Sequence, residues 1–418
     1  MNDDKEKLLA IESIQKKLLG KKLSYREIFS VMDQISHNKL SDVLTTYFVA
    51  SSFKEGYSPK ELFYFTKAMV ETGNKLKFKG IVADKHSVGG IAGTRTTMII
   101  VPIIAAAGFK IPKISSRAIT TPAGTADVME AIAKVEFTPK EIEKIVNEVG
   151  GCIAWNGKLG IAPADDIIIR VEEPLSFESF DKIIISVMAK KIAAGTTHLV
   201  LDIPIGKTAK IHRFSEGEDV AKKFENLAKQ FGIKVICDVN ETLEPAGRGI
   251  GPILEVRDVL YVLEQKTDRP LRLEAKSLRL AGELLDLCYK EQKINKKGDD
   301  EAKKILESGT ALKKFQEIVK AQGGVSKISS DSLTLAKNKF DFHSPKSGKI
   351  KDINNHNLNT VAKILGAPND KKAGIYLLKK LDHSVVKDES IFVLYSDDKY
   401  LLKEAEATLK NLPIFKIE

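Results

Sequence analysis

The spacing of apolar residues changes near residue 79 and divides the chain in two. Through residues 1–66 they follow the three- and four-residue steps of several short amphipathic helices. Ser24 stands ahead of "YREIFSVMDQI" with Glu27 three residues on, and Ser58 stands ahead of "PKELFYFTKAMVETG" with Glu61 in the same place. Both are capping-box patterns, so both predict helix starts. From Lys79 compact apolar runs alternate with glycine-rich turns. "GIVADKHSVGG", "PKISSRAITTPAGTADVMEAI", "HLVLDIPIG" and "IKVICDVN" each predict a buried strand leading into a loop or helix. Such alternation predicts an α/β unit with a mainly parallel sheet. The stretch "DIIIRVEEPLSFESFDKIIISVMAKKIAAG" reads as helical in its second half, and residues 296–338 as lysine-rich helix followed by a linker. From "FHSPKSGKI" onward, short strands such as "SIFVLYS" and a final helix predict a separate α+β module.

At 418 residues the chain is long enough for two or three domains, and 43% apolar with 29% charged residues excludes wholesale disorder. "MNDDKEKLLAIESIQKK" lacks the apolar core of a signal peptide, and the longest apolar run, "MIIVPIIAAAGF", is too short to span a membrane. The expectation is a cytoplasmic protein with no membrane partner. Cys152, Cys237 and Cys288 are few and scattered, which suits reduced thiols better than a disulfide framework or zinc cluster. The net charge of +10 raises the question of nucleic acid. Its lysines are dispersed, however, and the densest run, "KEQKINKKGDDEAKK", is broken by acidic residues. A solvated lysine-rich surface fits better, with no nucleic-acid partner expected, and the surplus charge would attract small anions.

Three segments carry candidate chemistry. In "DKHSVGGIAGTRTT", Lys85 and Ser87 precede Gly89, Gly90 and Gly93, which let backbone N–H groups approach an anion. The loop is neither a Walker A nor a clean G-x-G-x-x-G motif, and a tight strand-to-helix turn with solvent lysines has the same composition. In the second segment Ser115, Ser116, Thr120, Thr121 and Thr125 supply hydroxyls, Arg117 a bidentate fork, and Gly124 close approach at a helix start. Two such loops after two strands suggest one polyanionic ligand. In the third, Ser186 and Lys190 stand four apart on an apolar helix and therefore share a face, toward either a ligand or solvent.

The phrases "DKHSVGG", "SSRAITTPAGTAD", "APADDIIIRVEEPLS", "THLVLDIPIGKTAKI" and "GRGIGPILEVRDVL" resemble the thymidine/pyrimidine-nucleoside phosphorylase family, most closely its archaeal AMP phosphorylase branch. The resemblance runs nearly the whole length, including "KSGKI…AGIYLLKK". It implies a nucleoside phosphorylase class II-like α/β fold in three parts. These are a helical domain (1–67 with 160–192), a large α/β domain with a central mixed, mainly parallel sheet (68–159 and 193–335), and a C-terminal α+β domain (336–418). The active site would lie in the cleft between the first two.

The implied reaction is phosphorolysis of a nucleoside 5′-monophosphate (AMP, or CMP and UMP) to the free base and ribose 1,5-bisphosphate. By the same resemblance Lys85, Ser87, Thr97, Ser115 and Thr125 would hold orthophosphate. Arg170, Ser186 and Lys190 would bind the base, with His86 adjacent and Glu178 as its proton donor. Gly90, Ser116, Arg117, Ala118, Ile119, Thr120, Thr121, Thr125, Ser186 and Lys210 match the substrate-contacting segments, Arg117 and Lys210 serving the 5′-phosphate. No cofactor or metal is expected, orthophosphate being a co-substrate, and a homodimer is the implied assembly.

Two features depart from the branch. Its usual additional N-terminal domain has no counterpart in this sequence, and its aspartate proton donor is Glu178 here. The alternatives are a thymidine- or pyrimidine-nucleoside phosphorylase, a magnesium-dependent phosphoribosyltransferase, and a non-catalytic nucleotide-binding protein. The phosphoribosyltransferase turn Gly-Thr-Gly-Gly-Asp is absent from residues 87–93.

Overall fold

The computed structural model describes residues 2–51, 56–118, 121–172 and 179–418. Four helices open the chain: α1 (Asn2–Leu18), α2 (Tyr25–Ser36), α3 (Asp42–Ala50) and α4 (Pro59–Glu71). Ser24 and Ser58 accept from the backbone N–H of Glu27 and Glu61, and each glutamate accepts from its serine's own N–H. Each exchange satisfies two donors that a helix start otherwise leaves without partners. Glu61 also pairs with the buried Lys17 at 2.7 Å, which ties α4 to α1.

The α/β part begins with β1 (Ala83–Ser87), α5 (Thr97–Ala106) and β2 (Ile111–Ser115), followed by α6 (Thr125–Glu130), α7 (Pro139–Val149) and β3 (Gly151–Trp155). Two helices, α8 (Pro163–Glu172) and α9 (Phe180–Ala193), cross back to β4 (His198–Ile205), and α10 (Phe214–Gln230) leads to β5 (Lys234–Glu241). The pairs β1–β4, β4–β5 and β2–β3 are all parallel, and a bridge between Val82 and Lys110 sets β2 beside β1. The resulting order is β3-β2-β1-β4-β5. From β1 the chain goes first to one side and later returns to the other. The carboxyl ends of β1 and β4 therefore flank a topological switch point, where crevices of open parallel sheets form.

Thr97 to Ala105 of α5 are all buried, so this helix has no polar stripe and forms the centre of the α/β core. Around it pack α11 (Pro252–Leu263), α12 (Leu271–Gln292), α13 (Gly298–Glu307) and α14 (Thr310–Ala321), α11 being preceded by β6 (Gly249–Ile250). A second apolar core joins α1–α4 to Ile168 of α8 and Ile185, Ala189 and Ala193 of α9. Helix α9 meets the helical expectation for the second half of residues 166–195, but the first half is helical too, through α8 to Glu172. Its β-branched run Ile167–Ile169 disguises a helix whose burial overrides local propensity.

The C-terminal part comprises β7 (Asn338–His343), β8 (Gly348–Ile353), α15 (Asn355–Ile364), β9 (Gly374–Leu377), β10 (Ser384–Val385), β11 (Ser390–Ser396), α16 (Lys399–Thr408) and β12 (Phe415–Ile417). They form the antiparallel sheets β6-β9-β11-β7 and β10-β8-β12 around one apolar core. The last element is thus the strand β12 rather than the expected helix, because Phe415–Ile417 pairs with β8. Lys380 donates from Nζ to the carbonyls of Pro245 and Gly247, fastening this part to the α/β unit. Among the described residues no helix is long and apolar enough to cross a membrane.

Candidate functional site

A cleft of about 890 Å³ opens at the switch point, between the sheet and the α8–α9 wall. The loop after β1 bends into it through Gly89, Gly90 and Gly93, with φ of 89°, 99° and 60°. A Cβ on Gly90 would stand 3.2 Å from the backbone nitrogen of Lys210, so the loops after β1 and β4 pack backbone to backbone. Ser87, Gly90 and Thr97 line the cleft, as does Lys210 opposite. After β2, Asp127 accepts from the N–H groups of Ala118 (2.6 Å) and Gly124 (2.9 Å) and folds the loop over the start of α6. A Cβ on Gly124 would lie 2.7 Å from the Ser116 carbonyl oxygen. Ser115, Ser116, Thr121 and Thr125 reach the cleft from this side.

Beneath the loops lies a buried ionic floor. Lys85 Nζ stands 3.6 Å from Asp202 and donates to Thr96 Oγ1 at 2.9 Å, while Lys276 meets the same Asp202 at 2.9 Å. Asp84 holds Lys191 at 2.6 Å and Lys113 at 3.3 Å. All four lysines line the cleft, and both carboxylates are sealed from water. Burial lowers Lys85 to about 8 against the pull of Asp202, and burial likewise lowers Lys113. Burial alone would raise Asp202, yet Lys85, Lys276 and Asn240 hold it at about 2. His86, at the cleft wall, is driven well below its usual value by desolvation and by Lys191 and Lys113, so its ring is neutral at pH 7.

On the helical wall Asp165 Oδ2 accepts from Ser186 Oγ at 2.9 Å and pairs with Lys190 at 2.6 Å. Burial works against the charge of Lys190, and Asp165 more than offsets it, so its pKa is raised. Ser186 and Lys190 therefore face the cleft together rather than solvent. The C-terminal part adds His356 and Lys363 of α15 to the lining.

Three expected residues, Ile119, Thr120 and Glu178, lie outside the described residues. Two expectations need correction. Arg170 is not brought to Ser186 and Lys190; its guanidinium donates to Asp42 Oδ1 at 2.7 Å, on an exposed surface beside α3. Asp165, Ile169 and Glu172 share the cleft face of α8, and at 3.6 residues per turn Arg170 points roughly 140° away from Asp165. Arg117 reaches the cleft rim but is not an open phosphate fork. It donates to both oxygens of Glu130, meets Glu136 at 3.3 Å and Asp127 at 3.5 Å, and stacks 4.6 Å over Trp155. The hydrogen bonds it donates to Glu130 raise its pKa. Ala118 contributes through its backbone N–H rather than its side chain.

Sequence reasoning missed Asp84, Lys113, Asp165, Lys191, Asp202 and Lys276, and also Arg95. The Arg95 guanidinium joins Glu255 at 2.6 Å to Thr125 Oγ1 at 3.1 Å. A usable signal was a charged residue inside an apolar strand: Lys113 in "IPKIS" and Asp202 in "HLVLDIPI" have no solvent face to occupy.

The glycosyl transferase family a/b domain model matches residues 79–312, its helical bundle domain residues 11–73, and the pyrimidine nucleoside phosphorylase C-terminal domain residues 349–414. The chain is 41% identical to the AMP phosphorylase of Methanocaldococcus jannaschii over 413 residues, 99% of this chain and 82% of that protein. Identity to the AMP phosphorylase of Methanospirillum hungatei is also 41%, over 98% of this chain and 79% of that protein. Among solved structures it is similar to the anthranilate phosphoribosyltransferase of Thermus thermophilus, with TM-score 0.60 and 18% identity, covering 75% of this chain and 99% of that one. That likeness speaks to the fold.

Proposed function

The chain belongs to the AMP phosphorylase branch of this glycosyl transferase family, and from that premise we propose that it catalyses phosphorolysis of AMP. An oxygen of orthophosphate bonds to C1′ as the bond from C1′ to adenine N9 breaks. The adenine leaves with a proton, and the sugar product is ribose 1,5-bisphosphate. The observation that carries this reading is the floor, where four lysines share two carboxylates and leave a positive surplus for an anion.

Lys85, Ser87, Thr97, Ser115 and Thr125 hold the nucleophile above that floor, where its charge also steadies positive charge developing on the sugar. Ser186 and Lys190, fixed by Asp165, face the base, and Lys190 donates to charge growing on it. Neutral His86 neighbours the reacting atoms without adding charge, and Glu178 is the proton donor in this scheme. The lysines supply the charge neutralisation, so no metal is required. The chain works in the cytoplasm as a homodimer, for which Leu8 and Leu18 of α1, Leu19 just beyond it, and Val43 and Tyr47 of α3 offer exposed apolar surface.

One observation favours a nucleoside phosphorylase instead: Arg117 is already engaged by carboxylates. The deciding experiment incubates the protein with AMP, CMP, UMP and their nucleosides, with and without orthophosphate, and identifies the sugar product by mass. Phosphate-dependent release of adenine with ribose 1,5-bisphosphate is expected, unaffected by EDTA. Equal base release without phosphate contradicts phosphorolysis, and faster cleavage of nucleosides than nucleotides selects the alternative.

A further inference from the structure

Arg95 stands in the loop after β1, two residues before Thr97, and its buried guanidinium reaches across to the loop after β2. Nη2 donates to the carbonyl of Ala123 at 2.9 Å, and Nη1 donates to Thr125 Oγ1 at 3.1 Å. Nε donates to Glu255 Oε2 at 2.6 Å. The other oxygen of that carboxylate accepts from the N–H of Gly251 at 3.2 Å, at the start of α11. Glu255 is sealed from water, so it gives the fork one fixed seat. The candidate orthophosphate residues are divided between the two strand-and-loop units, with Lys85, Ser87 and Thr97 on the first and Ser115 and Thr125 on the second. Arg95 bridges these two halves directly.

The chemistry of the bridge sets what Thr125 can do. A guanidinium only donates, so Thr125 Oγ1 is the acceptor and its own proton is left for another partner. Among the described residues that proton has no acceptor, and Thr125 lines the cleft. An orthophosphate oxygen in the cleft would be such an acceptor. A hydroxyl that accepts from a cation is also polarised into a stronger donor. Glu255 offsets the charge of Arg95, so what Arg95 supplies is direction rather than charge. We infer that Arg95 is a positioning residue for orthophosphate, which fixes Thr125 against the loop after β1 and turns its hydroxyl proton toward the nucleophile. This inference rests on the phosphorolysis reading.

The test is a double-mutant cycle on the orthophosphate KM at saturating AMP, using wild type, Arg95→Lys, Thr125→Val and the double variant. The KM for AMP at saturating orthophosphate is measured alongside. Lysine keeps a cation beside Glu255 but lacks the planar fork that holds three partners at once. Thr125→Val is expected to raise the orthophosphate KM about tenfold, the scale of one hydrogen bond to a charged group. Arg95→Lys should raise it about fivefold, with the KM for AMP within about twofold of wild type. In the Thr125→Val background Arg95→Lys should add less than about twofold, because its effect runs through the missing hydroxyl. Glu255→Gln loosens the seat from the other end and should repeat this pattern at about threefold, which decides the matter should Arg95→Lys not fold. Independent effects that multiply to about fiftyfold in the double variant overturn the inference. So does a change confined to the KM for AMP, or an orthophosphate KM that neither Arg95→Lys nor Glu255→Gln moves. A wild type that releases base equally without orthophosphate overturns the phosphorolysis reading and this inference with it.

Discussion

On the floor of the cleft Lys85, Lys113, Lys191 and Lys276 share Asp84 and Asp202, whereas at the rim Arg117, Lys158 and Lys371 face Asp127, Glu130 and Glu136. Four cations over two carboxylates leave a surplus, while three over three leave none. The floor is also buried, where charge interactions are least screened, and the rim is partly exposed. A cation's presence in a loop therefore does not by itself make an anion site. What decides is whether neighbouring carboxylates have already neutralised it.

The largest expected effect comes from upsetting the floor. Asp84→Asn leaves Lys113 and Lys191 buried without their shared partner, which should destabilise the fold by about 3–5 kcal/mol. Added orthophosphate should recover part of that loss in thermal melts, because it neutralises the same cations. Glu136→Gln at the rim should leave the melting temperature unchanged. If both variants melt alike, the floor and rim do not differ as described.

A smaller effect is expected on the helical wall. Lys190→Ala should lose roughly 2–4 kcal/mol of transition-state stabilisation with folding retained, because its charge faces the leaving base. Steady-state kinetics showing near wild-type turnover would place Lys190 outside the chemistry.

The smallest is a pH effect. Lys85, lowered by burial to about 8, is charged below pH 7 and loses its proton as pH rises through 8. The orthophosphate KM should therefore climb severalfold between pH 7 and 9. The rim should not titrate there: its hydrogen bond with Arg117 holds Glu130 at about 2, and Arg117 is raised. An orthophosphate KM flat across that range would remove Lys85 from the site.

These differences mark what the sequence could reveal. The strand-and-loop units around "DKHSVGG" and "SSRAITTPAG" were legible because apolar runs and glycines act locally. The parallel strand β3, "GCIAW", was not, since five residues without alternation carry no periodic signal. Ser186 and Lys190 could be placed on one helix face, but which way that face points depends on Asp165, twenty-one positions earlier. The floor is harder still: Asp84 joins lysines from β2 and α9, and Asp202 joins them from β1 and α12. Arg117 shows the converse. Its motif suggested a phosphate fork, and only folding brings Glu136 and Trp155 against it.

Calorimetric titration of orthophosphate into wild type, Lys85→Met and Arg117→Met at neutral pH tests the contrast most directly. Lys85→Met should weaken binding at least a hundredfold, about 2.7 kcal/mol, and Arg117→Met should bind within about threefold of wild type. Orthophosphate binding that survives loss of Lys85 but disappears with Arg117 would contradict it and move the nucleophile's site from the floor to the rim.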